Sequence, residues 1–564
     1  MLSHTRFLLL LPALAALLFG QSARAQSFHV QCPAGTTLHP AIVTNDPAIT
    51  APADQAKYDT ITVPLPRTDG KLNPTPAMAN PGIKCQQISG GDGYATMADG
   101  TQTYLFSFGP LSGLGNIVKG LPGTVSAKEF LQSNIDKANG PVDPQGVLQA
   151  VKVGAPDGPG YSFNGAIGLV PDVQAVDGVS GTELTGHVDA RLIMDVGVLN
   201  GNIPAPMIAI DEGDELFLTL TNVGMIMRPD LFEQHTVHFH GYPNASAFYD
   251  GVPDASVAIS IGGSFTYYYL APEAGTYMWH CHISPPEHLQ MGMVGQLYVR
   301  PRQSTVAANA SLRDQLVADQ ADPLKRCRTG DLLCSVQVPP ANTAMRASQP
   351  DPTDSTKSIA KGGYAYDDGD GSTYYDVEYP IQLMGFDPNF HFVGMTFNPE
   401  SFADNKDKFF LMNGRSYPDT INPNPLSTQA SDGTPHFSQP MPTIINIPVN
   451  GRALLRISDL NVTEYHTLAS LGLPMHVIGY NARLLRDQEG SNMDYFTNSI
   501  SVAGGESVDV ILDATGYSQG QKFYLYTPQL DHLSNDAENF GGMMTEVNIC
   551  GAVDPMTKVC TNSN

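Results

Sequence analysis

The chain has 564 residues, of which 42% are hydrophobic and 15% are charged. Its 54 Gly and 44 Pro are typical of a turn-rich all-β globular protein, and the composition argues against disorder, coiled coil and a helical bundle. The formal net charge of −25 argues against nucleic acid as a partner, because nucleic-acid binding needs clustered basic charge.

The first 25 residues have the pattern of a secretory signal peptide. Arg6 supplies a positive charge, residues 7–19 form an apolar run, and residues 23–25 read Ala-Arg-Ala, like a cleavage site. That run is too short for an ordinary membrane span, and no later stretch is long and apolar enough for one. We therefore expect a secreted or periplasmic protein without a membrane span, in a compartment that permits disulfides.

A Pro/Gly/Ala-rich region comes first, with a strand predicted at Thr103–Phe108 and a helix predicted at Ser126–Lys137. Short strand-like runs follow it in close succession. These are 190–198, 207–210, 215–221, 236–239, 257–261, 265–270, 275–278 and 295–299. Gly, Pro, Asn and Asp separate them, which favours a β-sandwich or barrel.

A second strand-rich block, 374–549, repeats the first. The spacing from Gly213 to His238 equals that from Gly451 to His476, so that HFHGY aligns with HVIGY. ISIGGS (259–264) aligns with ISVAGGE (500–506), and GMVGQLYV (292–299) aligns with GMMTEVNI (542–549). One β unit is therefore predicted to occur twice.

These observations predict an all-β chain with two β-sandwich or barrel domains and a loop-rich N-terminal extension. The expected segments are a signal peptide (1–25), a loop-rich N-terminal region that packs on the first domain (26–184), the first domain (185–303), a linker (304–373), the second domain (374–550) and a C-terminal tail (551–564).

The seven cysteines, an odd number, leave one thiol outside any set of disulfides. Spacing does not fix connectivity, but it suggests three local pairs, Cys32/Cys85, Cys327/Cys334 and Cys550/Cys560. The remaining thiol, Cys281, lies between His280 and His282.

Most metal-binding side chains of the first block fall in two short segments. They are His235, His238 and His240, and then His280, Cys281, His282, His288 and Met293. In a strand, residues two apart face the same side, so the histidines that flank Phe239 point together, as do the two that flank Cys281.

Cys281 then faces the opposite side, toward His288 and Met293 on the following loop. Two histidines, a cysteine and a methionine are the ligand set of a blue-copper electron-transfer site. Zinc is the competing metal, but a structural zinc site commonly has more than one thiolate. A hydrolase is less favoured, because Cys281 is not at a nucleophile elbow or a helix N-terminus.

On these residues the sequence resembles the multicopper oxidases, a family of cupredoxin fold that includes the laccases. HTVHFHG (235–241) resembles the family motif H-x-x-H-x-H-G, and WHCHISPPEHLQMGM (279–293) resembles H-C-H…H…G-M. Residues 199–222 are similar to the usual lead-in. The resemblance covers 188–300 strongly and 408–549 moderately, and it leaves the first 160 residues uncovered.

The resemblance implies two cupredoxin-like Greek-key domains and copper as cofactor. Carried over by motif position, the type 1 copper ligands are His235, Cys281, His288 and Met293, the type 2 ligand is His238, and the type 3 ligands are His240, His280 and His282. It also implies catalysis through Cys281 and its two histidine neighbours. The resemblance further implies that an electron donor is oxidised at type 1 copper and that dioxygen is the acceptor. The donor is a small molecule, a metal ion or a redox protein.

The second block departs from the family pattern, in which a trinuclear copper cluster takes histidines from two domains. In the alignment above, Leu473 stands against His235, Ile478 stands against His240, and only His476 keeps its place, with His466 and His532 nearby.

Three hypotheses therefore stay open. One is an oxidase in which a homo-oligomer completes the second copper site, another is a copper nitrite reductase-like enzyme with a type 2 site shared between subunits, and the third is a non-enzymatic type 1 copper carrier. Copper stoichiometry separates them.

Overall fold

The structure, a computed structural model, describes residues 32–39, 79–130, 201–225, 227–228, 230–242, 246–321, 344–351, 354–394, 402–429 and 435–561. The predicted signal peptide, the predicted strand 190–198 and the Cys327/Cys334 pair lie outside these residues. Within them the protein consists mainly of β-strands, and none of the described helices is long and apolar enough to cross a membrane.

Among the described residues, nine strands precede residue 301. They are β1 (Ile83–Thr96), β2 (Gln102–Pro110), β3 (Val125–Ser126), β4 (Ile208–Asp211), β5 (Glu215–Gly224), β6 (His238–His240), β7 (Ser264–Leu270), β8 (Gly275–His280) and β9 (Val294–Arg300). We call them the first unit.

The later strands begin with three short ones, β10 (Ser348–Pro350), β11 (Ser358–Ala360) and β12 (Gly363–Tyr364), and with β13 (Tyr374–Tyr375). The second unit comprises β14 (Val377–Phe386), β15 (Phe409–Met412), β16 (Leu426–Gln429), β17 (Pro435–Ser438), β18 (Ile445–Pro448), β19 (Arg452–Asp459), β20 (His466–Ser470), β21 (Met475–Tyr480), β22 (Arg483–Leu484), β23 (Tyr495–Thr497), β24 (Ser499–Val502), β25 (Glu506–Asp513), β26 (Lys522–Tyr526) and β27 (Met544–Cys550). The last hairpin is β28 (Ala552–Val553) and β29 (Cys560–Thr561).

The helices are short. The α-helices are Leu114–Ile117, Pro285–Gln290, Arg302–Thr305, Leu312–Ala321 and Pro388–Gly394, and the 3-10 helices are Ala247–Tyr249, Phe402–Asp404, Asp419–Ile421 and Leu530–Leu533.

Each unit contains two sheets around an apolar core, and the two units have the same strand order. In the first unit the sheets run β2-β1-β5-β7 and β4-β9-β8-β6. In the second they run β15-β14-β19-β25, continued by β21 and β22, and β18-β27-β26-β20, continued by β24. The parallel pairs β1/β5 and β4/β9 recur as β14/β19 and β18/β27. The predicted all-β fold and its internal repeat are confirmed.

The N-terminal region contributes more than a loop-rich covering. The predicted strand at Thr103–Phe108 is confirmed as β2, and β1 pairs along β5 over most of its length. Residues 83–110 are therefore part of the first sheet, a role that their composition did not indicate. The strand predicted at 257–261 is wrong, because Ile259 makes a single bridge with His235 before the chain turns at two glycines.

The predicted alignment of the two blocks is also wrong around His476. His476 lies on β21 and pairs with β25, whereas His238 lies in the other sheet, opposite His280 on β8. In that second sheet Ala469 of β20 lies opposite Tyr526 of β26. The connection from β19 to β20 is shorter than that from β5 to β6, so equal spacing from the preceding turn pairs the wrong residues.

Buried polar contacts join the two units. Thr276 Oγ1 donates to Asp509 Oδ1 (2.6 Å). Near this junction the Glu378 carboxylate lies 3.0 Å from the Arg300 guanidinium and 3.1 Å from that of Arg456. Burial by itself raises the pKa of Glu378, but the two guanidinium groups outweigh it and hold that pKa well below its usual range.

Two predicted disulfides are confirmed, Cys32–Cys85 and Cys550–Cys560. Among the described cysteines Cys281 is the free one, and it is buried.

Candidate metal centre

The first group of metal-binding side chains consists of His235, Cys281 and His288. All three are fully buried, and their ligand atoms lie within 4.8 Å of one another. His288 Nδ1 is 3.2 Å from Cys281 Sγ, and the Thr236 backbone N–H donates to that sulfur (3.4 Å). The strand end at His280 and the short helix that contains His288 thus bring a thiol and two imidazoles together.

The first group favours the thiolate. Burial alone raises the pKa of the Cys281 thiol, but His288 and His235 outweigh burial and lower that pKa well below its ordinary value. The thiolate also raises the pKa of His288 to about 9, against the opposing effect of burial. A cation at this position would replace the proton that the thiolate and imidazole now share.

Met293 lies in the same core and is fully buried. Its backbone N–H donates to the His288 carbonyl (2.9 Å), and its own carbonyl accepts from the Cys281 N–H (3.2 Å). This turn holds the cysteine, the histidine and the methionine in a fixed relation.

Glu233 is a site residue that the sequence reading missed. Its Oε2 lies 3.6 Å from His288 Nε2, and this contact holds the pKa of Glu233 below its ordinary value. The Glu-x-His spacing to His235 is the only sequence signal for it. A carboxylate on the outer nitrogen of a ligating histidine orients the ring and fixes its tautomer.

Gly90 and Phe106 were missed as well, because they come from the N-terminal region. A Cβ on Gly90 would lie 2.6 Å from His235 Cδ2, so this glycine makes room for the imidazole. The Phe106 ring lies edge-on to His288, with 5.1 Å between ring centroids. No motif in β1 or β2 marks these residues, since their importance depends on which strand lies beside the site.

The second group consists of the two histidines of β6, of His280 at the end of β8 and of His282 just beyond it. The ligand atoms of His238, His240 and His280 lie within 4.8 Å of one another. The His282 ring lies 5.0 Å from that of His238 and 5.6 Å from that of His280, between centroids. The structure therefore brings together all four histidines that the sequence predicted for a second site.

Backbone carbonyls set the orientation of two of these rings. His280 Nδ1 donates to the Cys281 carbonyl (2.7 Å), and His238 Nδ1 donates to the Asp250 carbonyl (2.6 Å). Each ring thereby has Nε2 as its nitrogen without a proton. Burial lowers the pKa of His280 to about 3, and it lowers the pKa values of His238 and His240 too, so the imidazoles are neutral, as metal ligation requires.

Both groups take their ligand atoms from the first unit, as far as the chain is described. The second unit approaches the second group at Gly505, where a Cβ would lie 3.1 Å from His240 Nε2. The three histidines considered from the second block have other partners nearby: His466 is beside Asp459, His476 beside Asp494 and His532 beside Glu464.

The donor set fits copper. One buried thiol, two imidazoles and an adjacent methionine are soft and borderline ligands, whereas four imidazoles suit a second copper centre. Both ring nitrogens of His235 are buried without a hydrogen-bond partner, which is costly for a polar atom unless a ligand is bound.

Residues 184–304 match the family model described as multicopper oxidase. This segment is similar to a multicopper oxidase domain. The resemblance read from the two histidine motifs is confirmed for it, and so is copper as the metal that this family binds.

The chain is also similar to curated proteins of this family. It spans about half of the length of these proteins or less. It is 23% identical over 377 residues to laccase-2 of Cryptococcus neoformans var. grubii, covering 65% of this chain and 49% of that protein. It is 33% identical over 124 residues to multicopper oxidase MCE of Talaromyces pinophilus, covering 21% and 19%. Among solved structures, the blue copper oxidase of Nitrosomonas europaea aligns with 16% identity and a TM-score of 0.43, covering 82% of this chain and 85% of that one.

Proposed function

We propose that this protein is a secreted or periplasmic copper oxidoreductase of the multicopper oxidase type, in which an electron donor is oxidised at the first group and dioxygen is reduced at the second. One observation carries the proposal. Cys281 belongs to the first group, and its two peptide neighbours, His280 and His282, belong to the second. A few covalent bonds therefore join a thiolate site to a histidine site.

The ligands of the first copper are His235, Cys281, His288 and Met293, and those of the second centre are His238, His240, His280 and His282. When bound, copper supplies one-electron redox chemistry at the first group and reduction of dioxygen at the second. The protein keeps the thiolate away from water, holds the His238, His240 and His280 imidazoles neutral, and orients the rings of His280 and His238 through the Cys281 and Asp250 carbonyls.

The electron donor approaches at His288. The inner nitrogen of this ring faces Cys281, whereas its outer nitrogen faces Glu233, whose side chain is 28% exposed. Phe232 beside it is 84% exposed. A carboxylate next to an exposed aromatic ring favours small donors that are cationic or that release a proton on oxidation.

A complete second centre requires histidines beyond the four of the first unit, and we propose that another copy of the chain supplies them. The protein is then active as a homo-oligomer. Copper content distinguishes this arrangement from the alternatives, because an oxidase holds four coppers per functional unit, a nitrite reductase-like enzyme two and an electron carrier one.

The test uses the copper-loaded full-length protein and its Cys281→Ser variant. We expect the unmodified protein to be blue, to show type 1 and type 2 paramagnetic resonance signals and to consume dioxygen with a diphenol or ferrous ion as donor. Cys281→Ser should lose the blue colour and the donor-driven dioxygen uptake.

The control is the Cys550→Ser/Cys560→Ser pair, which removes a disulfide far along the chain from the site and should stay blue. A blue Cys281→Ser protein contradicts the ligand assignment. A blue unmodified protein with a single copper and no oxygen uptake contradicts the oxidase and supports a carrier.

A further inference from the structure

The second unit holds the end of the short helix Pro285–Gln290, which contains His288. A helix of this length is marginal by itself, so its orientation depends on tertiary contacts. Backbone N–H groups of the turn that follows donate to three of its carbonyls, those of Glu287, His288 and Leu289. The carbonyl of Gln290, the last residue of the helix, instead faces His391 of the second unit, whose Nε2 lies 2.9 Å from the oxygen.

His391 is fully buried and contacts both units. It lies on the helix after β14, and its ring stacks on that of Phe386, with 3.7 Å between centroids. Its Nδ1 lies 2.7 Å from the carbonyl oxygen of Tyr104 on β2, the strand that also packs on His288. One side chain of the second unit thus contacts the helix that contains a ligand of the first group and the strand beside that ligand.

The Gln290 side chain makes a further contact with the second unit. It is buried, and its Nε2 donates to Asn405 Oδ1 (3.0 Å) and to Asp407 Oδ1 (2.8 Å), in the segment before β15. Asp407 Oδ2 in turn accepts from Thr463 Oγ1 (2.6 Å). Both hydrogens of this amide therefore have acceptors on the second unit.

Asp387 keeps these two contacts in a fixed relation. Its carboxylate accepts from the Asn389 backbone N–H (2.9 Å), at the start of the helix that contains His391. The same carboxylate accepts from the Lys406 backbone N–H (2.7 Å), in the segment that binds the Gln290 side chain. One buried carboxylate thus joins the two parts of the second unit that hold the end of the His288 helix.

We propose that Gln290 and His391 are positioning residues for the copper of the first group. The second unit, whose described residues supply no ligand atom to either group, would then set the orientation of His288. The proposal rests on the proposed function only in taking the first group as a copper site. Loss of a contact that orients a metal ligand typically costs roughly 10–100-fold in metal affinity.

The first experiment compares two glutamines in the copper-loaded full-length protein. Gln290→Met removes the amide and keeps the length of the side chain. Gln296→Met is the matched control, because Gln296 is equally buried and its Nε2 also donates twice to the second unit, to the Arg456 carbonyl (2.8 Å) and to Ser458 Oγ (3.0 Å). The difference is that Gln296 lies on β9, outside the His288 helix.

We expect only Gln290→Met to alter the first copper. Its blue absorption maximum, type 1 paramagnetic resonance signal and reduction potential should shift, and its copper affinity should fall by roughly 10-fold. A Gln290→Met protein that matches Gln296→Met in all four measurements overturns the proposal.

The second experiment uses two variants of His391. His391→Phe keeps a ring on Phe386 but contacts neither carbonyl, whereas His391→Gln keeps an N–H donor for the Gln290 carbonyl. We expect His391→Phe to shift the blue spectrum and the potential as Gln290→Met does, and His391→Gln to retain most of the unmodified values. Equal spectra and potentials of the two variants overturn the role of His391.

The third experiment needs no copper. In the metal-free full-length protein, amide hydrogen exchange of residues 285–293 should be about 10-fold faster in Gln290→Met than in Gln296→Met, because the helix loses two buried hydrogen bonds that hold it. Equal exchange in the two variants overturns the positioning alone. A copper-loaded unmodified protein that is not blue instead overturns the proposed function, so the two failures are distinguishable.

Discussion

Gly90 offers the sharpest test of how the N-terminal strands hold the first group. Replacing it with alanine puts a Cβ 2.6 Å from Cδ2 and 3.2 Å from Cγ of His235. The backbone at Gly90 is one that alanine can adopt, so the effect comes from packing alone. An ordinary contact needs about 3.4 Å, so the imidazole must retreat by roughly 0.8 Å in a core without room for it.

This displacement acts on stability and on metal binding. Overpacking a buried site costs about 1–3 kcal/mol of unfolding free energy. The distance between a metal and its ligand varies by only about 0.2 Å. The displacement of the imidazole is larger, so it should weaken copper binding at the first group by roughly 10–100-fold, as loss of a supporting contact usually does.

The assay has two parts, denaturant unfolding of the metal-free Gly90→Ala protein and copper titration followed by blue absorption. Gly551→Ala is the control, since its Cβ would meet only the flexible end of Gln519. If Gly90→Ala unfolds within about 0.5 kcal/mol of the control and binds copper as tightly, the role assigned to β1 is refuted.

Three further predictions concern charge and covalent structure. Glu233→Gln removes the carboxylate beside His288, so we expect a higher reduction potential at the first group and a raised KM for cationic donors relative to neutral ones, which potentiometry and steady-state kinetics measure. Glu378→Gln leaves the buried Arg456 guanidinium and the partly exposed Arg300 guanidinium without their carboxylate and should cost about 3 kcal/mol at pH 7, measured by urea unfolding. The pKa of Glu378 is lowered in the folded protein, so the stabilisation that this carboxylate provides is present above its unfolded pKa of about 4.3 and is lost as pH falls below that value. The difference in unfolding free energy between variant and parent should therefore shrink from pH 7 to pH 3. An unchanged difference contradicts the ion pair. Opening the Cys32–Cys85 bridge by Cys32→Ser/Cys85→Ser should lower the unfolding free energy by about 2–5 kcal/mol and should reduce the effect of a reductant on stability to that of the remaining bridge, Cys550–Cys560.

The local pattern of the sequence determined much of the candidate site. Residues two apart in a strand share a face, so the histidines that flank Phe239 and Cys281 were predicted to converge, and they do. The same alternation placed Cys281 on the opposite face with His288. These relations survive folding because they depend on chain geometry over a few residues.

The tertiary structure alone decided what surrounds the site and how the repeat is aligned. Gly90 and Phe106 reach the first group because β1 and β2 belong to the sheet of the first unit opposite β6 and β8, and that sheet is made by hydrogen bonds between segments far apart in the chain. Equal spacing matched His476 to His238, whereas the register of β20 and β26 places His466 in the equivalent of His235. Loop lengths change between repeats while sheet register does not, so only the hydrogen-bonded strands identify which residues of the two units correspond.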